Sequence, residues 1–158
     1  MLMENVHAHI NANRESDIQT LIELVRHPSI ISDEVEVRNC ANFLKSIMIE
    51  SGINAKIYET KGQPVVYGEV VSGSKHATTV LFYGHYDVQP PEPLDAWHSP
   101  PFEPTIREGR LYGRGAGDNK GQLLTHILAV RSYLATEGVL PINLKFIFEG
   151  EEEIGSPS

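Results

Sequence analysis

The sequence predicts an α/β domain in which helices flank a largely parallel or mixed sheet. Apolar residues recur at helical spacing in two early segments and one late one, while the segments between them are short runs rich in Val, Ile, Phe and Tyr. Helical and strand patterns alternate along the chain, the arrangement that stacks helices on a sheet.

Each element follows from its local pattern. From Ser16 to Val25 the residues Ile18, Leu21, Ile22 and Val25 fall on one helical face, and His27-Pro28 ends the run. A second helix opens after Ser32-Asp33, a side-chain cap, and carries Val37, Ala41, Leu44, Ile47 and Met48 as its inner stripe until Gly52. The period then changes to that of strands, first Ala55–Tyr58 and then Val65–Val71, parted by Gly62 and Pro64 and closed by the turn Ser72-Gly73-Ser74. Thr78–Gly84 is a nearly continuous apolar run, the pattern expected of a strand buried on both faces. The proline-rich stretch from Gln89 to Gly109 reads as a long ordered loop anchored by Trp97 and Phe102. Leu123, Leu124, Ile127, Leu128, Val130, Arg131 and Leu134 mark a helix over Lys120–Ala135, ended by Gly138, and Pro141 introduces a last strand over Ile142–Phe148.

Composition narrows the function. The chain has 158 residues, 41% hydrophobic and 22% charged, which is ordinary for one globular domain and excludes disordered and low-complexity classes. Its net charge of −8, with no basic run, argues against nucleic acid or an anionic membrane as the partner. Cys40 is the lone cysteine and cannot form an intrachain disulfide, which fits a reducing compartment. No stretch approaches the ~20 apolar residues of a membrane span, and the start lacks the pattern of a signal peptide. A cytoplasmic protein is expected.

Three polar clusters stand at the ends of these elements. Gly84-His85-Tyr86-Asp87 follows the most apolar strand, Gly113 through Gly121 precedes the last helix, and Glu149-Gly150-Glu151-Glu152-Glu153 follows the last strand. In open α/β sheets ligands collect beyond the carboxyl ends of strands, so the three can converge. His85 and Asp87 lie two apart, pointing the same way in extended backbone, and a carboxylate so placed can fix the tautomer of a metal-binding imidazole. The glycine-rich cluster is not a nucleotide loop: Gly121, not Ser or Thr, follows Lys120, and Asp118 brings negative charge where a phosphate would sit. Asp118 suits a cation, or else caps the helix that follows. Adjacent carboxylates confined at a sheet end repel unless a cation or proton intervenes, which suits a divalent metal with a general base beside it. His, Asp and Glu together supply ligands appropriate to zinc, with cobalt or manganese also accommodated. No Gly-x-Ser-x-Gly element is present, and Cys40 has no catalytic setting.

Tyr83-Gly84-His85-Tyr86-Asp87-Val88-Gln89-Pro90, Leu111 through Gly115 with Asp118-Asn119-Lys120-Gly121, and Glu149 through Ser156 together resemble the dinuclear zinc peptidases. That family includes carnosinase-like dipeptidases, glutamate carboxypeptidase, aminoacylase and acetylornithine deacetylase, and Val88-Gln89-Pro90 with Trp97 and Pro100-Pro101-Phe102 is most similar to the dipeptidase branch. The resemblance implies two zinc ions. His85 would bind one, Asp118 would bridge both and Glu153 would bind the second. Asp87 would orient His85, and Glu152 would be the general base that takes a proton from the bridging water and passes it to the leaving amine. Glu151 competes for the base by register, and the match of Ile154-Gly155-Ser156 to the family favours Glu152 and Glu153. A cis peptide at Asp118-Asn119 is also implied.

On the same resemblance, residues 1–158 are expected to form the N-terminal portion of a catalytic domain. A further carboxylate ligand, a distal His and a lid or dimerisation domain would lie elsewhere, the full-length form would be a homodimer, and the chain alone would be inactive or weakly active. The substrate implied is a dipeptide or short peptide. Two rivals stand beside this: an N-acyl amino acid deacylase on the same scaffold, and a truncated, non-catalytic binding module.

Overall fold

The computed structural model describes residues 2–158. Helix α1 spans Leu2–Arg26 and α2 Glu34–Glu50, followed by strands β1 (Asn54–Tyr58), β2 (Val65–Val70) and β3 (Thr79–His85). A short hairpin of β4 (Thr105–Arg107) and β5 (Arg110–Tyr112) precedes α3 (Lys120–Glu137) and β6 (Asn143–Glu149). Asp33 caps α2, its carboxylate accepting the Glu36 amide at 3.1 Å. Gly138, with φ of 74°, closes α3 in the left-handed conformation that glycine adopts without steric cost.

The main sheet has the order β1-β2-β6-β3 and is mixed. β1 and β6 run antiparallel to β2, and β3 runs parallel to β6 with His85 opposite Glu149. α2 and α3 pack on one face of this sheet. Met48 of α2 occupies the space above Gly68, where an added Cβ would come within 2.2 Å of its methyl carbon, and Leu123 of α3 lies over Gly84. Between them Val37, Cys40, Ala41, Leu44, Leu124, Ile127, Val66, Phe146 and Phe148 form the core. α1 lies against α3, tied by an ion pair between Asp17 and Arg131. No described helix is long and apolar enough to cross a membrane.

Three expectations change. β3 is not buried on both faces: Leu81 is 55% and Tyr83 56% exposed, because β3 is the last strand in the order and the described helices cover one face only. The Gln89–Gly109 stretch is not loop throughout. It contains half of a hairpin whose turn, Glu108-Gly109, has positive φ at both residues, as a two-residue turn between twisted strands demands. α1 begins fourteen residues before Ser16, at Leu2, and its polar first half is anchored by the buried Val6.

Candidate metal centre

Parallel pairing carries the ends of β3 and β6 to the same edge of the sheet. Past His85 the chain stays pinned on both sides: the Tyr86 amide donates to Glu149 O at 2.9 Å and the Val88 amide to Ser29 O at 3.0 Å. The Tyr86 ring is fully buried with its hydroxyl donating to Pro64 O, and it leaves no room for a side chain at Gly150, where a Cβ would lie 2.6 Å from that hydroxyl. β6 therefore turns at Gly150 into a single 3-10 turn, Glu152–Ile154. From the third side, the glycine-rich loop brings Asp118 to the start of α3. The Asp118–Asn119 peptide is cis, as the resemblance implied, and Asn119 Oδ1 accepts the His85 amide at 3.2 Å.

The structure brings all five expected residues together. His85 is buried, and its Nε2 lies 3.0 Å from Asp118 Oδ1 and 3.7 Å from Glu152 Oε2. His85, Glu152 and Glu153 can each direct a ligand atom into one volume less than 4.8 Å across, and Asp118 joins this group through His85. Asp118 is not the cap of α3, a position taken by Asn119. Asp87 sits behind the ligands, fully buried. One oxygen is 3.3 Å from His85 Nδ1, and the carboxylate accepts the amides of Glu152 at 3.3 Å and Glu153 at 3.0 Å. One side chain thus orients the imidazole and fixes the turn that carries both glutamates.

Glu151 faces elsewhere. It is buried beneath the 60–63 loop, so close to Gly62 that an added Cβ there would come within 1.9 Å of its Oε1. Of the three consecutive glutamates, Glu152 and Glu153 are the pair presented to His85.

Electrostatically the cluster calls for a cation. Burial lowers the His85 pKa, but hydrogen bonding and charge from Asp87, with Asp118 adding to them, outweigh it and push the value up to about 9. Three carboxylates crowd one imidazole. An imidazole nitrogen and several carboxylate oxygens are a donor set suited to zinc, manganese or cobalt, so the residues present fit a divalent metal.

Two contacts escaped the sequence reading. Gln89 Nε2 donates to both the carbonyl and Oε2 of Glu153, each at 3.0 Å, and Asn119 holds the end of β3. Both partners are distant in sequence; the only local signal was that each residue adjoins an expected ligand cluster.

Comparison with known proteins agrees with this geometry. The model of peptidase family M20/M25/M40 matches residues 81–158, the span that holds every residue of the cluster. Beta-Ala-His dipeptidase of Mus musculus is 36% identical across 98% of the chain, which covers 35% of that protein. The crystal structure of human carnosine dipeptidase 1 superposes with a TM-score of 0.88 at 35% identity, covering 99% of this chain and 36% of the other. The M20 family metallo-carboxypeptidase Sso-CP2 of Sulfolobus solfataricus gives 0.81 at 42% identity over 89% of this chain and 32% of its own. The mixed sheet with a His, Asp and Glu cluster at its edge thus shares the catalytic fold of metallopeptidases. The chain belongs to peptidase family M20/M25/M40. It spans about a third of the length of these relatives.

Proposed function

We propose that this chain carries part of the catalytic centre of a zinc-dependent hydrolase that cleaves the amide bond of dipeptides or short peptides. The observation that carries the reading is the convergence of His85, Asp118, Glu152 and Glu153 from three elements in a chain of this family. His85, Asp118 and Glu153 would hold the metal. Cobalt or manganese can replace zinc on this donor set. A bound divalent ion polarises the scissile carbonyl and acidifies water. Glu152 accepts a proton at its carboxylate and returns it to the departing amine. Asp87 keeps Nδ1 of His85 engaged so that Nε2 faces the site.

The share of the relatives that the chain covers supports placing residues 1–158 at the front of a larger catalytic domain, whose remaining ligands complete the centre. The dipeptidase names of similar proteins support the substrate class, and the acidic charge and lone buried cysteine support a cytoplasmic setting. Zinc analysis of the purified protein, combined with hydrolysis of a panel of dipeptides and N-acyl amino acids, tests the reading. Zinc-dependent dipeptide cleavage is expected of a full-length form that supplies the remaining ligands, and little or none of residues 1–158 alone. Cleavage of acyl amino acids alone transfers the assignment to a deacylase, and failure to bind any divalent ion overturns the centre itself.

A further inference from the structure

The turn that carries Glu152 and Glu153 lies on the surface. Glu152, Ile154, Gly155 and Ser156 are all exposed, so packing alone does not hold it. On the buried side Asp87 accepts the amides of Glu152 and Glu153, which fixes where the turn starts. Its far end needs a separate anchor. Gly155 and Ser156 both have positive φ, 88° and 50°, and for Ser156 that left-handed backbone is sterically unfavourable unless the contacts around it enforce it.

Glu149 supplies that anchor. It is the last residue of β6, half-buried, and stands opposite His85 in the parallel register. Its Oε1 accepts two hydroxyls at once, that of Ser156 at 2.8 Å and that of Tyr83. A phenol or alcohol can donate and an ionised carboxylate can only accept, so both bonds run toward Glu149. Tyr83 and His85 are two apart on β3 and project to the same face of the sheet. The Ser156 amide also donates to Glu151 O at 2.9 Å, and the Gly155 amide to Glu152 O at 2.9 Å, so the chain from Glu149 to Ser156 closes on itself. One carboxylate oxygen thus joins the strand that ends in His85 to the far end of the turn that presents Glu152 and Glu153.

We propose that Glu149 is a positioning residue for the metal centre, its carboxylate clamping the far end of the 152–156 turn to β3 and so setting the distance between His85 and the Glu152–Glu153 pair. The consequence for metal rests on the centre proposed above, whereas the clamp belongs to the chain without metal. Glu149 acts through the turn and through β3, and it is not among the groups that direct a ligand atom into the common volume.

Four variants of the 158-residue chain test it. Glu149→Ala removes the acceptor, Glu149→Gln keeps an amide oxygen in its place, and Tyr83→Phe and Ser156→Ala each delete one donor. Cobalt affinity and the cobalt absorption spectrum are measured for each, together with amide hydrogen exchange at Ile154, Gly155 and Ser156 against the core amides of Leu44 and Phe146. Glu149→Ala is expected to bind cobalt about tenfold or more weakly, with an altered spectrum, the usual effect of losing a group that orients ligands. Exchange should quicken at the turn amides and stay unchanged in the core. Glu149→Gln should recover most of the loss, and each single-donor variant should show part of it. Adding Ser156→Ala to Glu149→Ala should change affinity by less than roughly twofold, because both remove the same bond. Wild-type cobalt affinity in Glu149→Ala overturns the proposal whatever the exchange shows, and so does faster exchange spread equally over the core. Weak binding in Glu149→Ala with Tyr83→Phe and Ser156→Ala both unaffected overturns it as well, since Glu149 would then act on the ion directly. If Glu149→Ala does not fold, the double variant Tyr83→Phe with Ser156→Ala, which removes both bonds and leaves the carboxylate, decides by the same readings. A wild-type chain that binds no cobalt defeats the metal centre, while exchange at the turn still reads the clamp.

Discussion

Glu152 and Glu153 are adjacent in sequence yet differ in surroundings, and the difference assigns them separate chemistry. Gln89 holds Oε2 of Glu153, whereas the Glu152 side chain is 44% exposed and faces His85 at 3.7 Å, free to take and release a proton. In the full-length enzyme Glu152→Gln is therefore expected to keep the bound metal and lower dipeptide turnover by roughly 10²–10⁴-fold, the usual worth of a positioned base. Metal content per chain and kcat check it together; an unchanged rate would move the base to another residue. Asp118→Ala should behave differently, losing metal as well as rate. Removing supporting residues around a metal typically costs 10–100-fold in affinity, so loss of a shared ligand should weaken zinc binding by at least about 100-fold. Wild-type zinc affinity in a competition titration would remove Asp118 from the ligand set. His85, Asp118, Glu152 and Glu153 were legible in the sequence because each sits where an apolar strand stops or an apolar helix starts. Gln89 and Asn119 were not, since their partners are 64 and 34 residues away and only the fold brings them within reach.

Among the elements, α2 and α3 were readable nearly to the residue, α2 from an apolar stripe ending at Gly52 and α3 from a dense apolar run closed by Gly138. The first half of α1 has a weak stripe, so its helicity depends on tertiary anchoring at Val6, which no local period reveals. The apolar content of β3 suggested burial on both sides, but apolar content does not distinguish an interior strand from an edge strand with one open face. The β4–β5 hairpin, at three residues per strand, is too short for a period to register. The start of α3 shows how an element aims a ligand. Gly121 lies in its first turn, where an added Cβ would be 2.3 Å from the Ala116 carbonyl oxygen, a backbone atom that cannot swing aside. This close approach folds the glycine-rich loop back on the helix and delivers Asp118. Gly→Ala inside a helix normally gains about 1 kcal/mol from propensity. Here overpacking of about 1–3 kcal/mol opposes it, so Gly121→Ala is expected to destabilise the fold and weaken zinc binding. Urea unfolding with a zinc titration checks both, and a more stable variant with intact affinity would show that the loop yields.

At the scale of the molecule, the net charge of −8 is partly a property of the site. Asp118, Glu152 and Glu153 gather around one buried imidazole at the edge of a sheet whose core lies on the opposite side of β3 and β6 from the exposed Leu81 and Tyr83. Folding must hold these like charges together, and a divalent cation that binds only the folded chain relieves the repulsion. Such a ligand at 100 times its dissociation constant stabilises the native state by about 2.7 kcal/mol. For a domain of this length each kcal/mol raises Tm by about 2–4 °C, so saturating zinc should raise the melting temperature by roughly 5–10 °C. EDTA should reverse the shift, and Asp118→Ala should abolish most of it, since the cation then loses the ligand that joins His85 to the cluster. Differential scanning calorimetry of both chains, with and without zinc, measures it. A zinc shift that persists in Asp118→Ala would place the stabilising ion elsewhere on the acidic surface, and no shift in the wild-type chain would mean that these carboxylates are held by the fold without a cation.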